Sequence, residues 1–242
     1  MTSDEQTLGD RTRIGTVAEV HRMLVAIHQH FRNVCGWITT HVERTERTLT
    51  LFNLLSAASD CLQVAAHNIE AHASVLALAT RSLYELNLRT RHVLESDDNI
   101  RLWHAEAVTD KIQLLEGLLQ LRTPGETAQQ RAILRGEIDR LKGLVSKYKL
   151  PNLERVPSTA SIAESIGRAD EHKALFKLFS KIVHPSSYLV NDYSNAASQE
   201  VAMILQVHTQ LYAWDTLSRI CNALSVPEEI RSFSGNSASG GA

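Results

Sequence analysis

The chain of 242 residues is poor in whatever stops or bends a helix. It has five prolines, none before Pro124, and no glycine lies between Gly36 and Gly117. Proline removes a backbone donor and glycine costs conformational entropy, so a stretch free of both is one that long helices can run through. Aromatic residues make up 5% of the chain and alternating apolar–polar runs are scarce, which argues against a sheet. The three cysteines, Cys35, Cys61 and Cys221, are far apart and odd in number. Buried free thiols in apolar helical surroundings are therefore expected rather than a disulfide framework, and that suits a reducing cytoplasm. No run reaches the roughly 18 apolar residues of a membrane span, and the polar opening Met1-Thr-Ser-Asp-Glu-Gln is followed by no apolar signal core. A cytoplasmic protein without a membrane partner is the expectation. Charges nearly cancel, at a formal net charge of −2, so only a local basic patch can attract a polyanion.

What is present is apolar residues at helical spacing. A first helix over about 16–40 carries Val20, Leu24, Ile27, Phe31 and Val34, and the charged segment 42–47 reads as a turn. A second over about 48–67 carries Leu51, Leu54, Leu55, Ala58 and Leu62. A third over about 71–94 stops at Glu95-Ser-Asp-Asp-Asn, whose short polar side chains offer N-caps to a fourth over about 100–121. Whether the second and third are separate or one rod is left open. Thr123-Pro-Gly-Glu126 reads as a tight turn into a fifth helix over about 127–148, with Ile133, Ile138, Leu141 and Leu144 as its apolar positions. The fourth and fifth form an expected antiparallel hairpin (97–150), insertion-like and projecting from a single helical domain over 1–231. Beyond the connector at Pro151 and Pro157 follow a short helix near 161–166, a longer one over 170–183 and a last over 196–224, with Ala202, Leu205, Leu211 and Leu217 inward. The Ser- and Gly-rich segment 232–242 is expected to be disordered. The fold class is all-α, a bundle of six to eight helices.

Two polar motifs stand out. One is Arg81-Ser-Leu-Tyr-Glu85 in the third helix; the other is Ser180-Lys-Ile-Val-His184-Pro185-Ser186 where a later helix ends. Proline biases the residue before it away from αR, which places His184 at a helix C-terminus, beside unsatisfied carbonyls that favour an imidazolium. On a wheel of about 100° per residue, Lys173, Lys177, Ser180, Lys181 and His184 share one face, opposite Leu175, Phe176, Leu178, Phe179 and Ile182. In the third helix Arg81, Glu85, Arg89 and His92 form a polar stripe opposite Leu76, Leu83, Leu86 and Val93. Spacing alone equally supports a solvated ladder of i,i+4 pairs worth about 0.3–0.5 kcal/mol each. If the two motifs make one site, Arg81 and Glu85 should come within hydrogen-bond or single-water reach of His184.

Together the motifs resemble the HEPN superfamily, in particular its abortive-infection-like and uncharacterised bacterial helical branch. The resemblance spans about 48–224 outside the charged hairpin, with lysine at 177 where that family has arginine. It implies a HEPN-like helical bundle and metal-independent RNA cleavage, with His184 as general base or acid, Lys177 or Arg81 stabilising charge on the phosphate, and Glu85 orienting Arg81 or His184. Ser180, Lys181 and Ser186 would hold the phosphate. It also implies a homodimer, and a toxin or antiviral defence effector held in check by a protein partner. The other reading is a non-catalytic interaction or regulatory module that keeps Arg81, Glu85 and His184 as a structural network. No cofactor is expected, since no glycine-rich phosphate loop, nucleophile elbow or dinucleotide fingerprint occurs. No metal is expected either: His21, His28, His30 and His41 lack companion ligands at metal spacing, and His67 and His72 are five apart.

Overall fold

The computed structural model describes residues 11–121 and 127–233. The expected turn at 123–126 and the tail from residue 234 lie outside the described residues. Among the described residues there are eleven helices and no strand, so the chain is an all-α bundle. Seven helices are long: α1 (Val17–His41), α2 (Glu46–His67), α3 (Ala73–Glu95), α4 (Asp97–Gln120), α5 (Ala128–Lys147), α7 (Ala169–Val183) and α10 (Gln199–Ala223). Four are short: α6 (Thr159–Ser165), α8 (Ser187–Asn191), α9 (Tyr193–Ala196) and α11 (Glu228–Arg231). The count thus exceeds six to eight because α8, α9 and α11 fill segments read as connectors, each being too short to show a helical period. A turn over 68–72 makes α2 and α3 separate helices.

The described chain forms two compact units, one of residues up to His92 with those from Ile162 on, the other Val93–Ser161. In the first, α1 begins in a capping box, with Thr16 Oγ1 accepting from Glu19 N while Glu19 accepts from Thr16 N at 2.8 Å. Its stripe Val20, Leu24, Ile27, Phe31 and Val34 is buried against α2, whose Leu51, Leu54, Leu55, Ala58 and Leu62 are buried as well. By length and a mean hydropathy of 1.3, α2 alone among the described helices could cross a membrane, against the expectation from run length. Those buried leucines make it a core helix of this bundle.

The centre of the unit is α10. Leu205 and Leu217 point inward as expected, but Ala202 and Leu211 are only half-buried, and Gln206, Thr209, Gln210, Tyr212, Trp214 and Thr216 are buried instead. A helix covered on most sides is a core element. The strap before α1 helps cover it: Arg13 N donates to Gln210 Oε1 at 2.8 Å, Gln210 Nε2 donates to Arg13 O at 3.0 Å, and Trp214 Nε1 donates to Arg11 O at 3.1 Å. Cys35 and Cys221 are buried free thiols and Cys61 a half-buried one; burial pushes Cys35 up to about 11 and Cys221 up to about 12. Phe233 falls in the segment expected to be disordered, yet it packs edge-on against Trp214 at 4.8 Å and His30 at 5.6 Å. Phe233→Ala should cost about 1–2 kcal/mol of stability in urea unfolding, from lost burial and an aromatic pair.

In the second unit α4 starts at Ser96, whose hydroxyl accepts from Asn99 N at 3.1 Å, and α5 starts in a Thr127–Gln130 capping box. The two helices run antiparallel, tied by Lys111–Glu137 at 2.7 Å, Lys142–Glu116 at 3.6 Å and Arg101 Nη2 donating to Lys149 O at 2.6 Å. Ile138 and Leu141 are buried, whereas Ile133, expected inward, is 64% exposed. It lies in the early turns of α5, in a unit whose described residues hold no third long helix to cover it.

Candidate functional site

The helix that carries the second motif is fixed at both ends by backbone chemistry. After α6 the chain turns at Gly167, φ +69°, where Gly167 N donates to Glu164 O at 3.0 Å and Arg168 N to Ala163 O at 2.6 Å. This left-handed position suits a residue without Cβ, and it launches α7. At the other end His184 is the C-cap with ψ 152°, the extended conformation demanded before Pro185. Ser186 closes the bend: its hydroxyl donates to Lys181 O at 2.7 Å and accepts from Leu189 N at 3.2 Å, capping α8. Its single proton is thereby committed to a carbonyl, so Ser186 is a bend residue rather than a free phosphate donor. Ser186→Ala should lower stability by about 1 kcal/mol, the usual cost of a lost cap, measurable as a shift of the urea midpoint.

Arg81 joins the two motifs. Its Nε donates to Glu85 Oε1 at 2.8 Å, its guanidinium lies 4.5 Å over the Phe176 ring of α7, and its Nη1 is 3.5 Å from His184 Nε2, 103 residues away. The last is a long contact at the edge of hydrogen bonding. A guanidinium donor aimed at Nε2 meets the single in-plane lone pair of that nitrogen, the same one that a proton transfer there would use. Glu85 reaches His184 only through Arg81. Arg81 Nη2 has no acceptor among the described residues. Lys173, Lys177 and Lys181 are exposed along α7, Ser180 is half-buried, and Lys177 makes no ion pair among the described residues. His92, expected on the polar stripe, is buried.

Behind this surface lies a polar layer that the sequence reading did not find. Tyr84, fully buried, meets the ring of His172 at 3.1 Å from its hydroxyl to Nδ1, and His172 lies tilted against Phe176 at 4.8 Å, the ring that carries Arg81. Burial lowers the His172 pKa, with Arg81 acting the same way and Glu85 opposing, so the ring is a neutral support. Burial also raises Tyr84, reinforced by Glu171 and Glu85. Further along, Tyr212 donates to Glu171 Oε1 at 2.9 Å, and Asp215 binds Arg91 at 2.9 Å, Arg219 at 2.8 Å and Asn87 at 2.7 Å. The signal was a second α3 stripe, Thr80, Tyr84, Asn87 and Arg91, at i+3 and i+4 spacing one step round the wheel from Arg81 and Glu85.

Four other histidines bond to backbone carbonyls or stack on a ring. His28 meets Ser59 O at 3.0 Å, His30 meets Arg231 O at 3.2 Å, His67 bonds Gln63 O at 2.8 Å, and His41 stacks on Trp37 at 5.2 Å. Among the described residues no three His, Cys, Asp or Glu side chains converge as metal ligands would. No curated protein and no solved structure matches the chain. A family profile described as a family of unknown function (DUF5677) matches residues 50–200, a span that contains Arg81, Glu85, Lys177 and His184. As that span is well over half of the 242 residues, the chain belongs to this family of unknown function, DUF5677.

Proposed function

We propose that the chain is a HEPN-like endoribonuclease that cleaves RNA by transesterification without a catalytic metal. The observation that carries this reading is the approach of Arg81 Nη1 to His184 Nε2, which sets an imidazole and a guanidinium side by side at an exposed helix end. His184 takes the proton of a ribose 2′-hydroxyl, the 2′-oxygen forms a bond to the adjacent phosphorus, and the bond to the 5′-oxygen breaks. The 5′-oxygen is then protonated by the His184 imidazolium or by water, leaving a 2′,3′-cyclic phosphate and a 5′-hydroxyl. Charge on the phosphorane is met by Arg81 Nη2 and by Lys177, a point charge rather than a planar fork. Glu85 holds Arg81, and Ser180 and Lys181 flank the phosphate.

A homodimer with paired sites and a toxin or defence role in the cytoplasm, checked by a protein partner, complete the reading. Incubating the purified protein with RNA in excess EDTA tests it: cyclic-phosphate ends should appear, and intact RNA would defeat it. One observation favours the non-catalytic module instead. Arg81 is only 22% exposed and already holds Glu85 and Phe176, as a structural network would require. Under that reading His184→Ala loses thermal stability and the wild type leaves RNA intact with or without divalent metal.

A further inference from the structure

The twenty residues from His172 to Asn191 hold three lysines, two histidines and no carboxylate, in a chain whose charges otherwise nearly cancel. The lysines are exposed on α7, the segment itself carries the exposed ring of Tyr188 on α8 (42% exposed), and a second exposed ring, Tyr193 on α9 (51%), follows just past Asp192. A basic row opening onto solvent-facing aromatic rings is the combination that binds a single-stranded nucleic acid, where phosphates need cations and unpaired bases need flat apolar faces. In a duplex the bases stack on one another, and such rings have nothing to meet.

The bend at His184-Pro185-Ser186 determines where the rings sit. Ser186 caps α8 immediately after α7 ends, so Tyr188 follows His184 by four residues, no more than about 14 Å between Cα atoms. Tyr193 follows one turn later, on the separate helix that begins after Asp192. We infer that Tyr188 and Tyr193 are a base-stacking platform beside His184, and that the site takes single-stranded RNA or unpaired loops rather than duplex. This rests on the ribonuclease reading for its ligand, while the rings and the lysine row are independent of any chemistry at His184. Stacking tolerates every base, so recognition on this platform is of strandedness and not of sequence.

The test is fluorescence anisotropy with a short 2′-O-methyl oligouridylate, which cannot be cut because its 2′-oxygen is blocked, and with its duplex on 2′-O-methyl oligoadenylate. The wild type should bind the single strand at least tenfold more tightly than the duplex. Tyr188→Ala and Tyr193→Ala should each weaken single-strand binding about tenfold, matching the lower part of the range for one lost base stack. Tyr188→Phe should bind like the wild type, because the ring and not the hydroxyl is used. Equal binding of single strand and duplex, or alanine variants that bind like the wild type, would overturn the inference. So would a change of oligomeric state in either alanine variant, which would make the rings a contact between protein chains. Cleavage of unmodified RNA by the wild type is scored separately. Intact RNA with tyrosine-dependent binding leaves the platform standing and removes the ribonuclease; cleavage with no tyrosine dependence does the reverse.

Discussion

Replacing His184 by alanine should reduce RNA cleavage by about 10²–10⁴-fold, the usual contribution of a positioned general base, and leave the fold intact. The exposed ring is a C-cap residue whose one side-chain contact among the described residues is the long approach to Arg81. Its removal therefore takes away little packing, and a surface substitution of this kind shifts stability within about 0.5 kcal/mol. The two readings of the Arg81–Glu85–His184 cluster part at this variant. A general base lost from a folded protein gives normal thermal unfolding with no cyclic-phosphate product. A structural network gives a lowered Tm and no RNA chemistry in either protein. Full cleavage by a folded His184→Ala variant would sink the assignment of His184 even if the protein proves to be a nuclease.

The helices that could be read from the sequence are those with one apolar face. In α1 every residue of the stripe from Val20 to Val34 is buried, because a helix packed on one side obeys the 3.6-residue period. No such period marks α10, because it is enclosed and its interior is partly polar. Thr209 Oγ1 lies 2.8 Å from Thr80 Oγ1 and donates to Leu205 O, and Gln210 is saturated by Arg13 and Gln206 O. Polar residues satisfied in this way look like a solvent face to any pattern based on hydropathy. The end of α7 was legible because Pro185 imposes it through backbone sterics. The approach of Arg81 to His184 was expected only from pairing the two motifs as one site, since spacing along a chain carries no information about which faces of two helices meet. Tyr84 and His172, 88 residues apart, were missed for the same reason. Each looks like an ordinary core residue until its partner is known.

The largest loss of stability should come from Asp215→Ala. Asp215 is 13% exposed and accepts from Asn87 Nδ2, Arg91 Nη2 and Arg219 Nε, so one carboxylate ties α3 to α10. Arg219 is 39% exposed and can return to water, but Arg91 is 20% exposed and would be left as a half-buried cation whose remaining side-chain partner is the neutral Asn87 amide oxygen. Removing one partner of a buried pair costs about 3–5 kcal/mol, a large part of the roughly 5–15 kcal/mol that holds a domain. Burial alone would raise the Asp215 pKa, yet hydrogen bonds from Arg219 and Asn87 and the charges of Arg91 and Arg219 overcome it and hold the carboxyl below its ordinary range. A folded pKa below the unfolded one means that stability from this group is complete above the unfolded value, about 3.9, and is lost as pH falls through the folded value. Urea unfolding of the wild type should therefore weaken on acidification below about pH 4. Asp215→Asn, which keeps the shape and an acceptor but not the charge, should be less stable than the wild type at neutral pH and lose less of its stability on acidification. Equal urea midpoints for the wild type and Asp215→Ala at neutral pH would show that the α3–α10 seam does not depend on this carboxylate.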